Sequence, residues 1–400
     1  MAENKAINGV GAARVATSVV SYTYNDASLL RGLLAEIPLW TRLPDEIIIV
    51  DDGSECAFAL VSEQEKRLPV RILRNERNRG FCFSKSRGIQ AAAHEYILSI
   101  DCDSRVSPNF LEVGCQRLLA DKRMGMVSGA SLYDSGRDLV SRYQLFFGDN
   151  YHHGVHGDVG FIPGHAFVLR RDAWTAVGGL QSHTRPVCED HALCSALRVA
   201  GYVLFVDRDI NIRQIRRLSR HAHCLRLWNW MHPEILAHLD HSAPLPQQLA
   251  DLFIPLLAER YRLILELGDI SLCYIEILYV LSMCLNTLAA VARNKDRNTA
   301  GEAPEFLLAA CLHALKPYTH LTTLIKEDVV KFGYAKYLVA AIKIKKDTFD
   351  NWKPVTTVLS MFAEHGVLAH LNTISVPVIY EEDGQQNADF SSYEKNSEIT

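Results

Sequence analysis

Short runs of β-branched and other apolar residues, bounded by turn residues, recur along the first half of the chain. They predict strands at Val15–Tyr24, Glu46–Val50, Val70–Leu73, Tyr96–Ile100, Met124–Ser128, Ala166–Leu169 and Val203–Val206. None of these runs alternates strictly with polar residues, which is the pattern of strands covered on both faces. Between them, Asp26–Ile37, Ser84–His94, Pro108–Ala120 and Glu189–Ala200 place apolar residues three and four apart and predict amphipathic helices. Pro108 suits a first helical turn with Ser107 as its cap, and Gly201 suits a left-handed closing residue. The alternation implies an α/β domain over residues 15–228, a mostly parallel sheet with helices on both faces.

After His232-Pro233 the strand pattern fades. Leu, Ala and Ile recur at helical spacing through Leu249–Leu267, Ile270–Ala292, Glu305–Leu315 and Phe332–Ile344, so residues 229–380 read as an α-helical C-terminal domain. Residues 1–14 read as a flexible N-terminus. Residues 381–400 are polar, acidic and poor in large apolar groups, and read as a disordered tail. The segment Ile270–Ala292 is long and apolar enough to cross a bilayer but carries Glu276 and Asn286 in its middle. A carboxylate at the bilayer centre costs about 2.5–3.5 kcal/mol, which favours a buried or interfacial helix and leaves a peripheral membrane contact open.

Composition adds bounds. A length of 400 residues implies two folded units, and the 48% hydrophobic and 22% charged content is that of a globular chain. The net charge of -4 excludes a general nucleic-acid binder. The ten cysteines stand singly, with no Cys-x-x-Cys pair, and read as free thiols. The first residues lack the apolar core of a secretory signal. A cytoplasmic location follows as the expectation, with a peripheral place at the inner face of the membrane left open by the apolar helix.

In an open α/β sheet a ligand sits beyond the carboxyl ends of the strands. Three predicted strands end in informative residues: Tyr24-Asn25-Asp26, Asp51-Asp52-Gly53-Ser54 and Asp101-Cys102-Asp103-Ser104. Where a strand breaks into a turn, Asp101 and Asp103 can converge on one cation, and two hard oxygens suit Mg2+ or Mn2+ with water and phosphate completing the shell. An isolated Asp-x-Asp also reads as a helix cap beside a solvated turn. Tyr24 reads alike as a stacking face or as core packing, Asp52 as a turn aspartate ahead of Gly53, and Lys85 as a solvated surface charge.

The order of the motifs changes the picture. Ser21–Asp26, Ile49-Val50-Asp51-Asp52-Gly53-Ser54, Arg79-Gly80-Phe81 with Ser84-Lys85-Ser86-Arg87-Gly88, Ile100–Asp103, and Cys188-Glu189-Asp190 followed by Gly201-Tyr202 resemble the motif series of family 2 glycosyltransferases of the GT-A fold. The resemblance covers residues 15–228 and implies a Rossmann-like GT-A domain. It implies inverting transfer of a sugar, of the hexosyl type, from a UDP-linked donor to a hydroxyl or thiol acceptor. Tyr24 would stack on the base, Asp52 would accept from the uracil imide, and Lys85 would face the diphosphate. Asp101 would touch the ribose and the metal shell, and Asp103 would be the direct ligand of Mn2+ or Mg2+. Glu189-Asp190 would be the catalytic pair, with Asp190 as general base. A helix start also attracts acids through its dipole, so this pair has a structural reading as well. His165, within Phe161–Phe167, would line the donor sugar or acceptor, though a strand histidine is often structural.

Two departures qualify the series. Ser86 stands where the family commonly has Asn, and no His stands near Gln214, where many members place a metal ligand. Gln214-Ile215-Arg216-Arg217-Leu218 half resembles the Gln-x-x-Arg-Trp motif of processive synthases, with Leu218 in place of Trp, which argues against processive synthesis. Arg213, Arg216 and Arg217 remain candidates for a diphosphate clamp, and His221 and His223 for substitute metal ligands. Gly9-Val10-Gly11 precedes the first strand and so fails dinucleotide-binding geometry, while His152-His153 and His156 read as a mobile loop able to close over substrate. A nucleotidyltransferase is the alternative enzyme, but its Gly-rich loop and trailing Lys are absent. A non-catalytic scaffold acting through the helical domain is opposed by intact Asp101, Asp103 and Asp190. The expected acceptor is a glycan, peptide or lipid-linked sugar, and the helical domain is suited to homodimerisation, acceptor docking or membrane-surface docking.

Overall fold

The computed structural model describes residues 15–133, 136–148, 151–180, 189–240, 242–293, 303–345 and 352–373. The expectations for residues 1–14, with Gly9-Val10-Gly11, for Cys188 and for 381–400 lie outside the described residues. The described residues fall into two compact units. One takes in 15–132 and 151–216, and the other 133, 136–148 and the described residues from Arg217 onward.

The first unit is built in the order β1 (Thr17–Thr23), α1 (Ala27–Glu36), β2 (Glu46–Asp51), α2 (Glu63–Lys66), β3 (Val70–Arg74), α3 (Phe81–Ala91), β4 (Tyr96–Ile100), β5 (Ser104–Val106), α4 (Phe110–Ala120) and β6 (Met124–Tyr133). The chain passes through α5 (Leu139–Phe147), which belongs to the second unit, and returns as β7 (Gly157–Asp158), β8 (Ala166–Arg170), α6 (Arg171–Ala176), α7 (Glu189–Val199) and β9 (Val203–Gln214). The sheet order is β3-β2-β1-β4-β8-β6-β9-β5, with β7 paired to β9. The α/β architecture is as expected, with one correction to the mostly parallel sheet. The sheet is mixed, because β3-β2-β1-β4 are parallel while β8 runs antiparallel to β4 and β6, and β5 and β7 run antiparallel to β9.

Two apolar clusters pack on the sheet. One joins α1 and α4 through Leu30, Leu33, Phe110 and Leu118, and the other joins α3, α6 and α7 through Ile89, Trp174, Leu193 and Leu197. Val19 lies in the first and Val20 in the second, so adjacent β1 residues face opposite layers, as the period of two requires. Gly88 lets α3 lie directly on β1 and β2. A Cβ there would come within 2.4 Å of a Val20 methyl, so the second half of α3 packs closely on the middle of β1 and on Val50 of β2.

Boundaries shift where polar chemistry outweighs apolar spacing. The helix expected from Pro108 begins at Phe110 with Asn109 at its cap position, and Ser107 accepts the Asn211 N–H at 3.2 Å instead of capping. Gly201 is left-handed, as expected, with φ of 87°.

The second unit contains α5, α8 (Arg220–Ala237), α9 (Leu245–Leu267), α10 (Cys273–Arg293), α11 (Pro304–Ala314), α12 (Thr319–Lys331), α13 (Ala335–Ala341), α14 (Lys353–Glu364) and α15 (Val367–Thr373). Pro233 lies inside α8, so the helix continues through the point where a domain change was read. Ile270–Arg293 is long and apolar enough to cross a membrane, and 72% of its most apolar window is buried inside the protein. Glu276 is fully buried there. It accepts from the Tyr143 hydroxyl at 2.6 Å, and the Arg260 guanidinium lies 3.5 Å away.

Candidate functional site

The site forms where β1, β2 and β4 end. β1 stops because Asn25 takes a left-handed conformation with φ of 57°. Its amide donates to Ser54 Oγ at 2.9 Å and its Oδ1 accepts the Glu55 N–H at 2.9 Å, locking the end of β1 to the turn after β2. β4 stops in a tight turn in which the Ser104 amide donates to the Asp101 carbonyl at 3.0 Å. The Asp101 amide donates to the His165 carbonyl at 2.8 Å, so β8 fixes the backbone at the first acid.

Asp101 and Asp103 stand on this turn, each facing a different cation. On the Asp101 side lies Lys85, buried with only 2% of its surface exposed. Its Nζ donates to the Gly164 carbonyl at 2.8 Å and to Glu189 Oε1 at 3.3 Å, and lies 3.7 Å from Asp101 Oδ1. Burial alone would lower the lysine pKa, but Asp101, Glu189 and Asp190 hold it above its ordinary value, so the group is an ammonium. Tyr22 donates to Asp101 Oδ1 at 2.8 Å. Burial, and then repulsion from Asp103 and Glu189, push the Asp101 carboxyl up to about 7 despite Lys85 and the tyrosine hydrogen bond.

On the Asp103 side lies Arg216, just past β9. Its Nε donates to Asp103 Oδ2 at 2.5 Å and its second nitrogen to Asp26 Oδ2 at 2.7 Å. The Ile215 amide donates to the Asp103 carbonyl at 2.9 Å and continues the β5–β9 pairing to this point. Asp26 and Asp103 outweigh the burial of the guanidinium and keep it protonated well above its ordinary value.

Glu189 and Asp190 divide their roles by exposure. Glu189 is 7% exposed and ion-paired to Lys85, and burial pushes its carboxyl up. Asp190 is half-buried. Its Oδ2 accepts the Gly164 amide at 3.0 Å and its Oδ1 accepts the His191 amide at 2.8 Å. Gly164 thus links Asp190 through its N–H to Lys85 through its carbonyl.

The other expected residues are dispersed. Asp52 is 2% exposed and accepts from Asn75 Nδ2 at 2.5 Å and from the Arg79 and Gly80 amides at 2.9 Å each. It holds the segment that enters α3, and burial raises its pKa against these donors. Tyr24 is half-buried at the end of β1, and His165 joins the site through its backbone carbonyl. Lys85, expected to face a diphosphate, sits among the carboxylates of Asp101 and Glu189. Arg217 opens the second unit, while its neighbour Arg216 engages Asp103. His223 is buried in the second unit edge-on to Tyr143, with burial pushing it down to about 3, and His221 packs on Phe332. The His152 ring contacts the Phe161 carbonyl at 2.7 Å and His156 lies 3.6 Å from Asp207, so both are anchored.

Among the described residues no three His, Cys, Asp or Glu side chains group to hold a metal ion. Asp101 and Asp103 offer two hard oxygen ligands, enough for a cation that takes the rest of its shell from water and phosphates. Their mutual repulsion is what such a cation would relieve, and Arg216 now neutralises the Asp103 half of it. Residues that sequence reasoning left unassigned are Tyr22, Asn75, Gly164 and, as the partner of Arg216, Asp26. Tyr22 is two positions before Tyr24, the spacing of one face had the strand run on to Tyr24 as expected, and this is the one available signal.

Residues 18–177 match the family model for glycosyl transferase family 2. Chondroitin synthase of Escherichia coli is 28% identical over 136 residues, which are 32% of this chain and 20% of that protein. The uncharacterized glycosyltransferase YwdF of Bacillus subtilis is 33% identical over 95 residues, 24% of this chain and 35% of that protein. The chain therefore spans between a fifth and about a third of these relatives. Among solved structures, the mannosyltransferase PcManGT from Pyrobaculum calidifontis, in complex with GDP-Man and Mn2+, aligns with a TM-score of 0.41 at 17% identity, covering 83% of this chain and 87% of that one.

Proposed function

From the match of residues 18–177 to glycosyl transferase family 2 we propose that the chain transfers a hexosyl group, with inversion, from a UDP-linked donor to an acceptor hydroxyl or thiol. The observation that carries this reading is the Asp101–Asp103 turn at the end of buried β4, set between Lys85 and Arg216, with Asp190 tied to the same cluster through Gly164.

Asp190 is the general base. The Gly164 and His191 amides orient its carboxylate, and each oxygen keeps a lone pair for the acceptor proton. Glu189 is a positioning residue. It is ion-paired with Lys85 and nearly closed to solvent, so it holds the ammonium between itself and Asp101. The base of the nucleotide lies against Tyr24, and its imide N–H donates to the lone pair that Asp52 Oδ2 retains. Asp101 and Asp103 would hold a divalent cation together with the donor diphosphate. That cation, Mg2+ or Mn2+, would supply charge stabilisation to the departing UDP. Arg216 competes with that cation for the charge of Asp103, and the cation would loosen its hold. The released guanidinium is then a diphosphate partner suited to bidentate contact.

The test is release of UDP from a panel of UDP-sugars, with and without acceptor, comparing wild type with Asp190→Asn. The variant should keep donor binding and lose about 10²–10⁴-fold in transfer rate, the usual span for a positioned base. Unchanged transfer in Asp190→Asn would remove the assigned base. No UDP release or binding with any UDP-sugar would remove the donor reading.

A further inference from the structure

A second concavity lies beside the edge strand β3, bounded by the segment that joins it to α3. It has a volume of about 480 Å³ and is lined by Arg74, Asn75, Glu76, Arg77, Arg79, Phe83 and Arg87. It adjoins the Asp52 network, whose Asn75 it shares, but Tyr24, Asp52, Lys85, Asp101, Asp103 and Asp190 are not among its lining residues, so it opens beside the transfer site rather than within it.

Its charge is one-sided. Arg74 is matched by Asp51 and donates to the Ser54 carbonyl at 2.7 Å. Among the described residues Arg77, Arg79 and Arg87 form no ion pair, and against these three the pocket sets only the carboxylate of Glu76. Two positive charges are left in excess.

The Arg79 and Arg87 guanidinium groups are also held in place before any ligand arrives. Arg87 donates to the Arg74 carbonyl at 2.9 Å and to Asn75 Oδ1. Asn75 is 4% exposed, and its own Nδ2 donates to Asp52 at 2.5 Å and to Ser84 at 2.9 Å, so its carbonyl points at Arg87 by necessity. The Arg79 guanidinium lies 4.2 Å from the centre of the Phe83 ring. Converging planar forks that are already ordered favour phosphate and carboxylate groups, which they bind through paired hydrogen bonds with little further loss of side-chain freedom.

We propose that this pocket is a second ligand site, which binds a phosphate- or carboxylate-bearing group of a molecule other than the sugar nucleotide in the transfer site. Two probes distinguish the sources of that oxyanion, sodium pyrophosphate and sodium citrate. Each is titrated calorimetrically into the full chain at constant ionic strength, without divalent cation, in the absence and presence of UDP. Saturable binding of at least one probe at one site per chain, persisting with UDP, is expected. Binding of pyrophosphate identifies a phosphate ligand, and binding of citrate alone identifies a carboxylate. Arg77→Glu and, separately, Arg79→Glu should weaken the interaction about tenfold or more, the scale of a charge-assisted contact. Lys122→Glu, an exposed charge reversal outside the pocket and outside the transfer site, should leave it unchanged. The proposal is overturned if neither probe saturates, if UDP displaces the bound probe, or if both pocket variants bind as wild type does.

Discussion

Replacing Lys85 with Met keeps an unbranched stem, one atom shorter, and removes the charge from the centre of the site. Asp101 and Glu189 then lose the cation that both share, 3.7 and 3.3 Å away. Removing one partner from a buried ion pair typically costs about 3–5 kcal/mol, because the remaining charge is left without compensation. The loss can be limited by proton uptake, and this gives it a pH dependence. Burial already pushes Asp101 up to about 7 and raises Glu189, with Lys85 the chief opposing influence on both. In Lys85→Met both pKa values rise further, so the folded variant binds protons that the unfolded chain releases above about pH 4. Stability then falls with rising pH by about 1.4 kcal/mol per unit for each such proton, until pH passes the raised values. A loss of about 3–5 kcal/mol at pH 8 should shrink by at least half at pH 6. Hydrogen exchange of the β4 amides at the two pH values reads the stability of this part of the first unit directly. A loss below about 1 kcal/mol at pH 8, equal to that at pH 6, would refute the assignment of Lys85 as the shared counter-charge.

Other consequences are as direct. In wild type, donor kcat/KM at subsaturating Mn2+ should rise with pH through about 7 as Asp101 ionises, and the midpoint should move lower as Mn2+ is raised. Between about pH 4 and 7 the folding stability due to Asp101 should decline, because its folded pKa lies above the unfolded value; a flat rate profile from about pH 5.5 to 8.5 would contradict the assignment. Arg216→Met should strengthen donor-free Mn2+ binding about fivefold, the worth of a partly exposed ion pair of ~1 kcal/mol, while slowing UDP-sugar turnover; titration followed by electron paramagnetic resonance checks the first and a UDP-release assay the second. Gly53→Ala should destabilise the first unit by about 1–2 kcal/mol from its left-handed backbone alone, with φ of 75°. A further loss follows because the new Cβ would stand 2.4 Å from the Arg77 carbonyl carbon, and thermal unfolding measures the total.

The strands were legible where both faces are covered. β4 has the expected limits because every residue from Tyr96 to Ile100 is buried. β9 extends to Gln214, well beyond the expected Val206, because its outer half alternates buried Ile210, Ile212 and Gln214 with exposed Arg208, Asp209, Asn211 and Arg213. A search for continuous apolar runs passes over such a stretch, and with it the strand that carries Arg216 to Asp103. β5 is three residues long and is defined by its pairing to β9, which no local pattern encodes. α8 was missed for a different reason: Pro233 reads as a break, yet the helix accommodates it.

Within the site, spacing identified the acids but not their partners. Asp101, Asp103, Glu189 and Asp190 could be singled out because carboxylates at a strand end and a helix start have few neutral explanations once the motifs stand in order. That Lys85 turns toward Asp101 and Glu189 depends on α3 lying against β1, a contact set by Gly88 and Val20 across 68 residues of chain. Asp52 was read for its position after β2, while its hydrogen bonds to the Arg79 and Gly80 amides depend on the path of a segment 27 and 28 residues later.

The central claim is that the Asp101–Asp103 turn binds a sugar nucleotide with a divalent cation. The most direct measurement is UDP release from the preferred UDP-sugar across a Mn2+ titration, comparing wild type with Asp103→Asn. Wild type should show saturable dependence on Mn2+, and the variant should lose about 10²-fold or more in rate at wild-type saturation. Equal rates in the two proteins, with or without Mn2+, would contradict the account.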